Sequence, residues 1–285
     1  MFIDLMVRGL IVLIFLSGSL VISYYITRLI ALIIPFFIIS EILLWSGTVV
    51  LSSLILMGVA YYYVYHGFGT QADIIRRFSD ADNKVVLTFD DGPGKLYTEE
   101  ILKVLSAKKA RATFFMVGSQ IEKYPEIARK VVEEGHEIGN HTYGHITVPN
   151  TSPPQLTAQI MRTNLLLLQN TGTYPQYLRP PRGLYDMRMR RIAKLLGQEL
   201  ILWSISSQDW HPRSTASGVT RRILERVSAG DIILFHDSGS LLGGEGANRC
   251  STVDALGPVI DGLRAKGLEI ESLENLLARR SGQEK

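Results

Sequence analysis

Val85-Val86-Leu87-Thr88-Phe89-Asp90-Asp91-Gly92-Pro93 is a short apolar run that ends in two adjacent carboxylates, and a Gly-Pro pair then stops the strand and turns the chain. Two neighbouring aspartates at the tip of a buried strand are electrostatically costly. A metal ion or a shared proton makes the arrangement tolerable. Asp-Gly-Pro is also ordinary turn chemistry, so the rest of the chain decides how the stretch is read.

Working outward from it, short apolar runs alternate with helical stretches. Strands are expected at 85–89, 112–117, 136–140, 177–179, 200–205, 231–235 and 268–270. Helices are expected at 98–110, 124–134, 155–169, 186–196, 218–228, 252–265 and 274–279, with Thr98 as an N-cap and a break or bend near Gly257-Pro258. Alternation of this kind implies an α/β fold with a parallel sheet. No Rossmann glycine pattern is present, so the units are expected to close, or nearly close, into a barrel with its chemistry on the rim after the strands.

The unusual polar residues collect at that rim. The first strand ends in Asp90-Asp91, the third in Asn140-His141-Thr142-Tyr143-Gly144-His145, and the fourth carries Arg179 before Pro180-Pro181. The fifth leads into Gln208-Asp209-Trp210-His211, and the sixth ends in His236-Asp237. His141 and His145 are spaced i, i+4, which on one helical turn puts two nitrogen ligands on one face. Two histidines and a carboxylate leave an open position for water, the pattern of catalytic zinc and related metals. With two aspartates present, one can ligate while the other stays free as a base. Strand alternation makes Asp237 a poor partner for His236. His136 reads as structural, His66 as interfacial and Trp210 as a pocket residue, while Cys250 reads as a small, unreactive side chain.

The first seventy residues are a different material. Of 30 Lys and Arg and 27 Asp and Glu residues in the 285-residue chain, only Asp4, Arg8, Arg28 and Glu41 precede residue 71. Uncharged runs cover Gly9–Thr27, Leu29–Ser40 (with Pro35) and Ile42–His66, and Tyr61-Tyr62-Tyr63 with Tyr65 resemble an interfacial aromatic belt. Residues 1–70 are therefore expected to be a membrane anchor with two transmembrane helices, 71–83 a linker and 84–285 the catalytic domain. That makes the chain a multi-pass membrane protein with membrane lipid as a partner. A net charge of +3 without a basic run gives no support to nucleic-acid binding.

The ordered motifs Thr88-Phe89-Asp90-Asp91-Gly92-Pro93, His141-Thr142-Tyr143-Gly144-His145, Arg179-Pro180-Pro181-Arg182-Gly183, Asp209-Trp210 and Leu234-Phe235-His236 resemble the polysaccharide deacetylases, the nodulation-type chitooligosaccharide deacetylase homology domain. The resemblance spans roughly 84–277. It implies a distorted seven-stranded (β/α) barrel, here preceded by the transmembrane helices, and a divalent metal, usually zinc, with cobalt, nickel or manganese as alternatives. It implies Asp91, His141 and His145 as metal ligands, Asp90 as general base tuned by Arg179, and His236 as general acid held by Asp209. Pro181, Arg182, Trp210 and Leu234 would bind substrate, Leu234 and Trp210 lining an acetyl pocket. A backbone N–H just after Arg179-Pro180-Pro181 would hold the oxyanion.

Two positions depart from the family pattern: Arg182 stands where an aromatic residue is usual, and Ser206 where many members have another aspartate. The expected activity is removal of acetyl groups from N-acetylated amino sugars in peptidoglycan or an exopolysaccharide, with the catalytic domain outside the cytoplasm. Alternatives are a deacylase or deformylase of a lipid-linked sugar, and an inactive metal- or glycan-binding module.

Overall fold

The computed structural model describes residues 18–29, 41–66, 74–239 and 247–283. The chain divides into two compact units, Met1–Gly69 and Thr70–Lys285. In the first, α1 (residues 18–29) and α2 (Glu41–His66) meet through hydroxyls, with Ser52 donating to the Ser19 carbonyl at 3.3 Å.

Among the described residues no helix is long and apolar enough to cross a membrane. Within α2, Ser46, Gly47, Thr48, Ser52 and Ser53 interrupt the apolar run and lower its mean apolarity, although the Ser52 and Ser53 hydroxyls donate to the Thr48 and Val49 carbonyls of the same helix. The two transmembrane helices, the multi-pass membrane placement and membrane lipid as a partner are therefore not supported. The rest of the first run, the Pro35 segment and the side chains of Tyr61, Tyr62, Tyr63, Tyr65 and His66 lie outside the described residues.

The second unit is built on β2 (Lys84–Asp90), the opening stretch, whose residues from Val85 onward are all buried. Parallel to it lie β3 (Thr113–Met116) on one side and β8 (Ile232–His236) on the other. The sheet continues through β4 (Glu137–Asn140), β5 (Tyr177–Leu178), β6 (Glu199–Ile201) and β1 (Ile74–Ile75), with β7 (Ile205–Ser206) beyond β8. Finally, β9 (Glu269–Ile270) pairs only with the start of β2.

The α/β fold with parallel strands is present, but not as seven strands. The stretch expected as one strand over 200–205 divides, because Leu202 donates back to Ile75 at 2.7 Å while Ser204 donates to Ile232 at 3.0 Å. One half serves the β5 side and the other the β8 side. The pair Ile74–Ile75, in the segment expected as linker, forms β1 beside the first half.

Helices cover the sheet: α3 (Tyr97–Ala107), α4 (Gly118–Lys123), α5 (Pro125–Glu133), α6 (Pro153–Thr171), α7 (Met187–Leu195), α8 (Ala216–Leu224), α9 (Cys250–Ala265) and α10 (Leu273–Gln283). Caps explain several starts: Ser152 and Gln155 form a capping box for α6, and Asp186 accepts from the first turn of α7. Pro258 lies inside a continuous α9, so no break occurs there.

Strand alternation sorts the faces. Phe89 stacks between Phe114 and Phe235 at 5.0 and 5.4 Å on the helix side, each ring contributing roughly 2–3 kcal/mol by burial. Val86 packs with Phe115, Tyr177 and Ile201 on the other face. Thr88 and Asp90 share that second face with Val86, and there the site is built.

Candidate active site

Asp90 is the last residue of β2, and its register partner on β8 is His236. One pleated step before them, Thr88 faces Leu234. This pairing brings the first and last motifs of the sequence together. Asp91 then leaves the strand with a φ of 79°. The turn needs Gly92, because a Cβ there would stand 2.1 Å from Asp237 Oδ2.

Arg179 is completely buried and is held from several sides. Its Nη1 donates to Asp90 Oδ1 at 2.7 Å and to Thr88 Oγ1 at 2.8 Å. Its Nε and Nη2 donate to the carbonyls of Ile201 and Leu202 at 3.1 and 2.9 Å. The guanidinium also lies 3.9 Å from the centroid of the Phe115 ring. Arg179 is therefore a buried post spanning several strands, not a rim ion pair. Burial raises the Asp90 pKa, and Arg179 opposes that rise.

His141 and His145 are not on a helix. They lie on a loop in which Thr142 and His145 have φ of 65° and 49°. Asn140 Oδ1 accepts from the Thr142 N–H at 2.7 Å, and Gln159 Oε1 accepts from the Gly144 N–H at 2.7 Å. The i, i+4 spacing thus works through a folded-back loop, not a helical face.

His141 Nδ1 faces the Arg179 carbonyl at 2.8 Å. A donated proton there leaves Nε2 bare toward the aspartates. His141 Nε2 lies 3.6 Å from Asp91 Oδ1, and His145 Nε2 lies 3.2 Å from the same oxygen. Ligand atoms of Asp91, His141 and His145 all fall within 4.8 Å of one another. Asp91 Oδ1 is buried without a hydrogen-bond partner. Burial pushes both histidines down to about 3 and Asp91 up to about 6. Neutral imidazoles and an unsatisfied buried carboxylate oxygen at one point suit a divalent cation.

Opposite stands a second, separate pair. His236 Nδ1 meets Asp209 Oδ1 at 2.7 Å, and the His236 backbone N–H donates to Asp209 Oδ2 at 2.8 Å. Thr252 Oγ1 donates to Oδ2 as well, at 2.8 Å. Burial works against charge on His236, yet Asp209, with help from Asp91 and Asp90, carries its pKa to about 9. A buried carboxylate paired with Arg179 and a buried imidazole paired with Asp209 thus stand within one site.

The remaining expected residues are placed unevenly. Leu234 is buried on the site face of β8, Pro181 is buried, and Trp210 is 40% exposed at the rim, edge-on to His211. Arg182 is exposed, with a φ of 58°. Ser206 ends β7 and its hydroxyl accepts from the Gln208 N–H.

Sequence reasoning missed a support behind the loop. Thr98 does not cap α3, whose N-cap position is Leu96. Instead Thr98 Oγ1 accepts from the Gly94 N–H and donates to Asp237 Oδ2 at 2.7 Å. Asp237 lies one residue beyond the end of β8 and turns to α3 while His236 turns to Asp209, as the alternation implies, and the Asp237 N–H donates to the Asp90 carbonyl. The signal available in sequence was a second acid directly after the strand-end histidine.

The family model for polysaccharide deacetylase matches residues 79–201. A peptidoglycan-N-acetylglucosamine deacetylase of Bacillus cereus is 33% identical over 199 residues, 68% of this chain and 87% of the relative. A chitooligosaccharide deacetylase of Bradyrhizobium is 30% identical over 209 residues, 70% of this chain and 94% of the relative. Among solved structures, the Bc1960 peptidoglycan N-acetylglucosamine deacetylase superposes with a TM-score of 0.67 at 30% identity, covering 72% of this chain and 92% of that one. A Bacillus anthracis protein described as a CE4 family pseudoenzyme superposes with a TM-score of 0.62 at 26% identity, over 68% and 65% of the two chains. The chain belongs to the polysaccharide deacetylase family, hydrolases that act on the N-acetyl amide bonds of sugars in glycans.

Proposed function

We propose that this chain deacetylates N-acetylated amino sugars of a glycan such as peptidoglycan, with a divalent metal, zinc by its donor set, held by Asp91, His141 and His145. One observation carries the reading. The Asp90–Arg179 and His236–Asp209 pairs face each other across β2 and β8, with the Asp-His-His group beside them. When bound, the cation polarises the amide carbonyl and acidifies the attacking water.

The chain's own residues do the rest. Asp90 takes the proton from the water, and Arg179 keeps that carboxylate ionised and aimed. The Arg182 backbone N–H donates to the developing oxyanion. His236, charged at neutral pH, delivers a proton from Nε2 to the leaving amine, while Asp209 fixes the Nδ1–H. No covalent intermediate is required. Leu234 and Trp210 flank the acetyl group, with Pro181 stiffening the turn that presents the N–H.

The likeness to a pseudoenzyme keeps an inactive binding module in view, but the complete set Asp90, Asp91, His141, His145 and His236 speaks against it. A lipid-linked sugar substrate drew its support from the membrane segments and loses it with them. The test is metal analysis with acetate release from N-acetylglucosamine oligomers and from peptidoglycan. Asp90→Asn should abolish release while metal stays bound; full activity in Asp90→Asn overturns the assigned base. Metal binding by the wild type without release from either glycan overturns the enzymatic reading.

A further inference from the structure

Tyr143 stands between the two histidines of the loop, and the deacetylation chemistry leaves its side chain without a task. That side chain is taken up by α4 and α6. Its hydroxyl donates to Glu122 Oε2 at 2.8 Å, and Arg162 Nη2 donates to Glu122 Oε1 at 2.8 Å. The Arg162 guanidinium in turn lies 3.7 Å from the centroid of the Tyr143 ring. Each of the three residues thus holds the other two. Gly118 leaves room for the ring, since a Cβ there would stand 2.7 Å from Tyr143 Cδ2. An exposed Glu122–Arg162 ion pair alone is worth little. A tyrosine ring under the cation, with its hydroxyl on the same carboxylate, closes the pair into a network.

What this clamp holds is a strained backbone. Thr142 and His145 flank Tyr143 and Gly144 with φ of 65° and 49°, and such conformations persist only where the surroundings over-determine them. The Gly118 and Ser119 N–H groups donate to the Thr142 and Tyr143 carbonyls at 3.0 and 2.9 Å, so α4 grips the loop by its main chain as well. The two histidines are aimed by different means. His141 has the Arg179 carbonyl at its Nδ1. Among the described residues, the buried Nδ1 of His145 has no hydrogen-bond partner. A metal-binding histidine ordinarily has its ring set by a partner on the second nitrogen. Without one, the approach of His145 Nε2 to Asp91 Oδ1, at 3.2 Å, depends on the backbone that carries the ring. Tyr143, two residues earlier, ties that backbone to two helices.

We propose that Tyr143, held by Glu122 and Arg162, is a positioning residue that sets the metal affinity of the Asp91-His141-His145 group by aiming His145. The inference rests on the metal assignment of the proposed function and adds a determinant of affinity outside the ligands.

The test measures the zinc dissociation constant of the full chain by competition with a chromophoric chelator, beside the melting temperature of the metal-free protein. Tyr143→Leu should raise the constant about tenfold, the lower end for losing a group that orients a ligand. In a His145→Ala background the ligand to be aimed is gone, and Tyr143→Leu should then change the constant of the weaker remaining site less than about twofold. Glu122→Gln and Arg162→Met alter exposed side chains, and each should raise the constant about threefold, the scale of one exposed contact. Both effects should vanish once Tyr143 is leucine, and Arg162→Lys should recover part of the loss. If Tyr143→Leu does not fold, the Glu122 and Arg162 variants carry the same comparison with and without His145. An equal loss with and without His145, or an unchanged zinc constant beside a lowered metal-free melting temperature, overturns the inference and makes the clamp a structural brace. If His145→Ala itself leaves zinc binding unchanged, the metal assignment fails and takes the inference with it.

Discussion

Arg179 donates to Asp90 Oδ1 at 2.7 Å through Nη1, while its own backbone carbonyl faces His141 Nδ1 at 2.8 Å. A single residue therefore orients both the proposed base and one proposed metal ligand. The coupling runs through a side chain with no exposure and through the backbone just before two prolines.

Removing that cation should act on fold and chemistry together. Arg179→Gln leaves a buried carboxylate without its partner, a loss of about 3–5 kcal/mol of stability. Arg179→Lys keeps a charge but not the fork that reaches Thr88, Ile201 and Leu202, so it should fold better and still turn over slowly. With the cation gone or displaced, Asp90 holds its proton more tightly. The acidic limb of the kcat/KM profile should move to higher pH in Arg179→Lys. A limb that stays in place would mean that Asp90 is not the titrating base.

Asp209→Asn should uncouple the acid from its support. An amide cannot stabilise the imidazolium, so His236 loses the interaction that carries it toward about 9. The group must be charged to act, so activity is present below its pKa and lost above it. The alkaline limb should therefore shift to lower pH, with kcat reduced about a hundredfold or more. A stopped assay across pH 6–10 on wild type and variant reads both effects, and an unmoved limb would remove His236 from the role of acid.

His136 should limit stability in acid. The Ala112 N–H donates to its Nδ1 at 3.3 Å, which requires that nitrogen to be unprotonated. Burial, then Arg111, pushes its pKa down to about 4 from 6.5. Between those values the unfolded chain binds a proton that the folded chain refuses, so stability falls as pH drops through the window. At about 1.4 kcal/mol per unit, discounted for relaxation and screening, the loss is about 1–2 kcal/mol. His136→Gln keeps an acceptor for Ala112 without the titration. Its urea midpoint should change less than the wild type's between pH 7 and 4.5; equal changes would refute the assignment.

Glu137 should hold α10 to the start of the sheet. Its carboxylate accepts from the Leu273 and Glu274 N–H groups, both at 2.8 Å, and from Thr113 Oγ1 and Tyr177 Oη at 2.6 and 3.2 Å. Glu137→Gln turns an amide N–H₂ toward these donors and should cost about 1–2 kcal/mol, a fall of a few degrees in Tm. The position is at the opposite end of β4 from Asn140, so kcat at 20 °C should hold. A stable variant with reduced kcat would contradict that division.

By itself the sequence determined the α/β character, the motifs and their rim positions, because apolar alternation and strand-ending prolines and glycines are local properties. Asp90, Asp91, His141, His145, Asp209 and His236 could all be named from it. The tertiary structure decided what local pattern cannot carry. It divided the 200–205 stretch between two neighbours, added β1 from a supposed linker, and brought the histidine pair together on a left-handed loop held by Asn140 and Gln159. It also turned Thr98 from a cap into a bridge to Asp237, and left the first unit with no described helix fit to span a bilayer. Most of these outcomes depend on hydrogen bonds between residues far apart in the chain, and a backbone donor bonds to whichever acceptor the packed sheet brings to it.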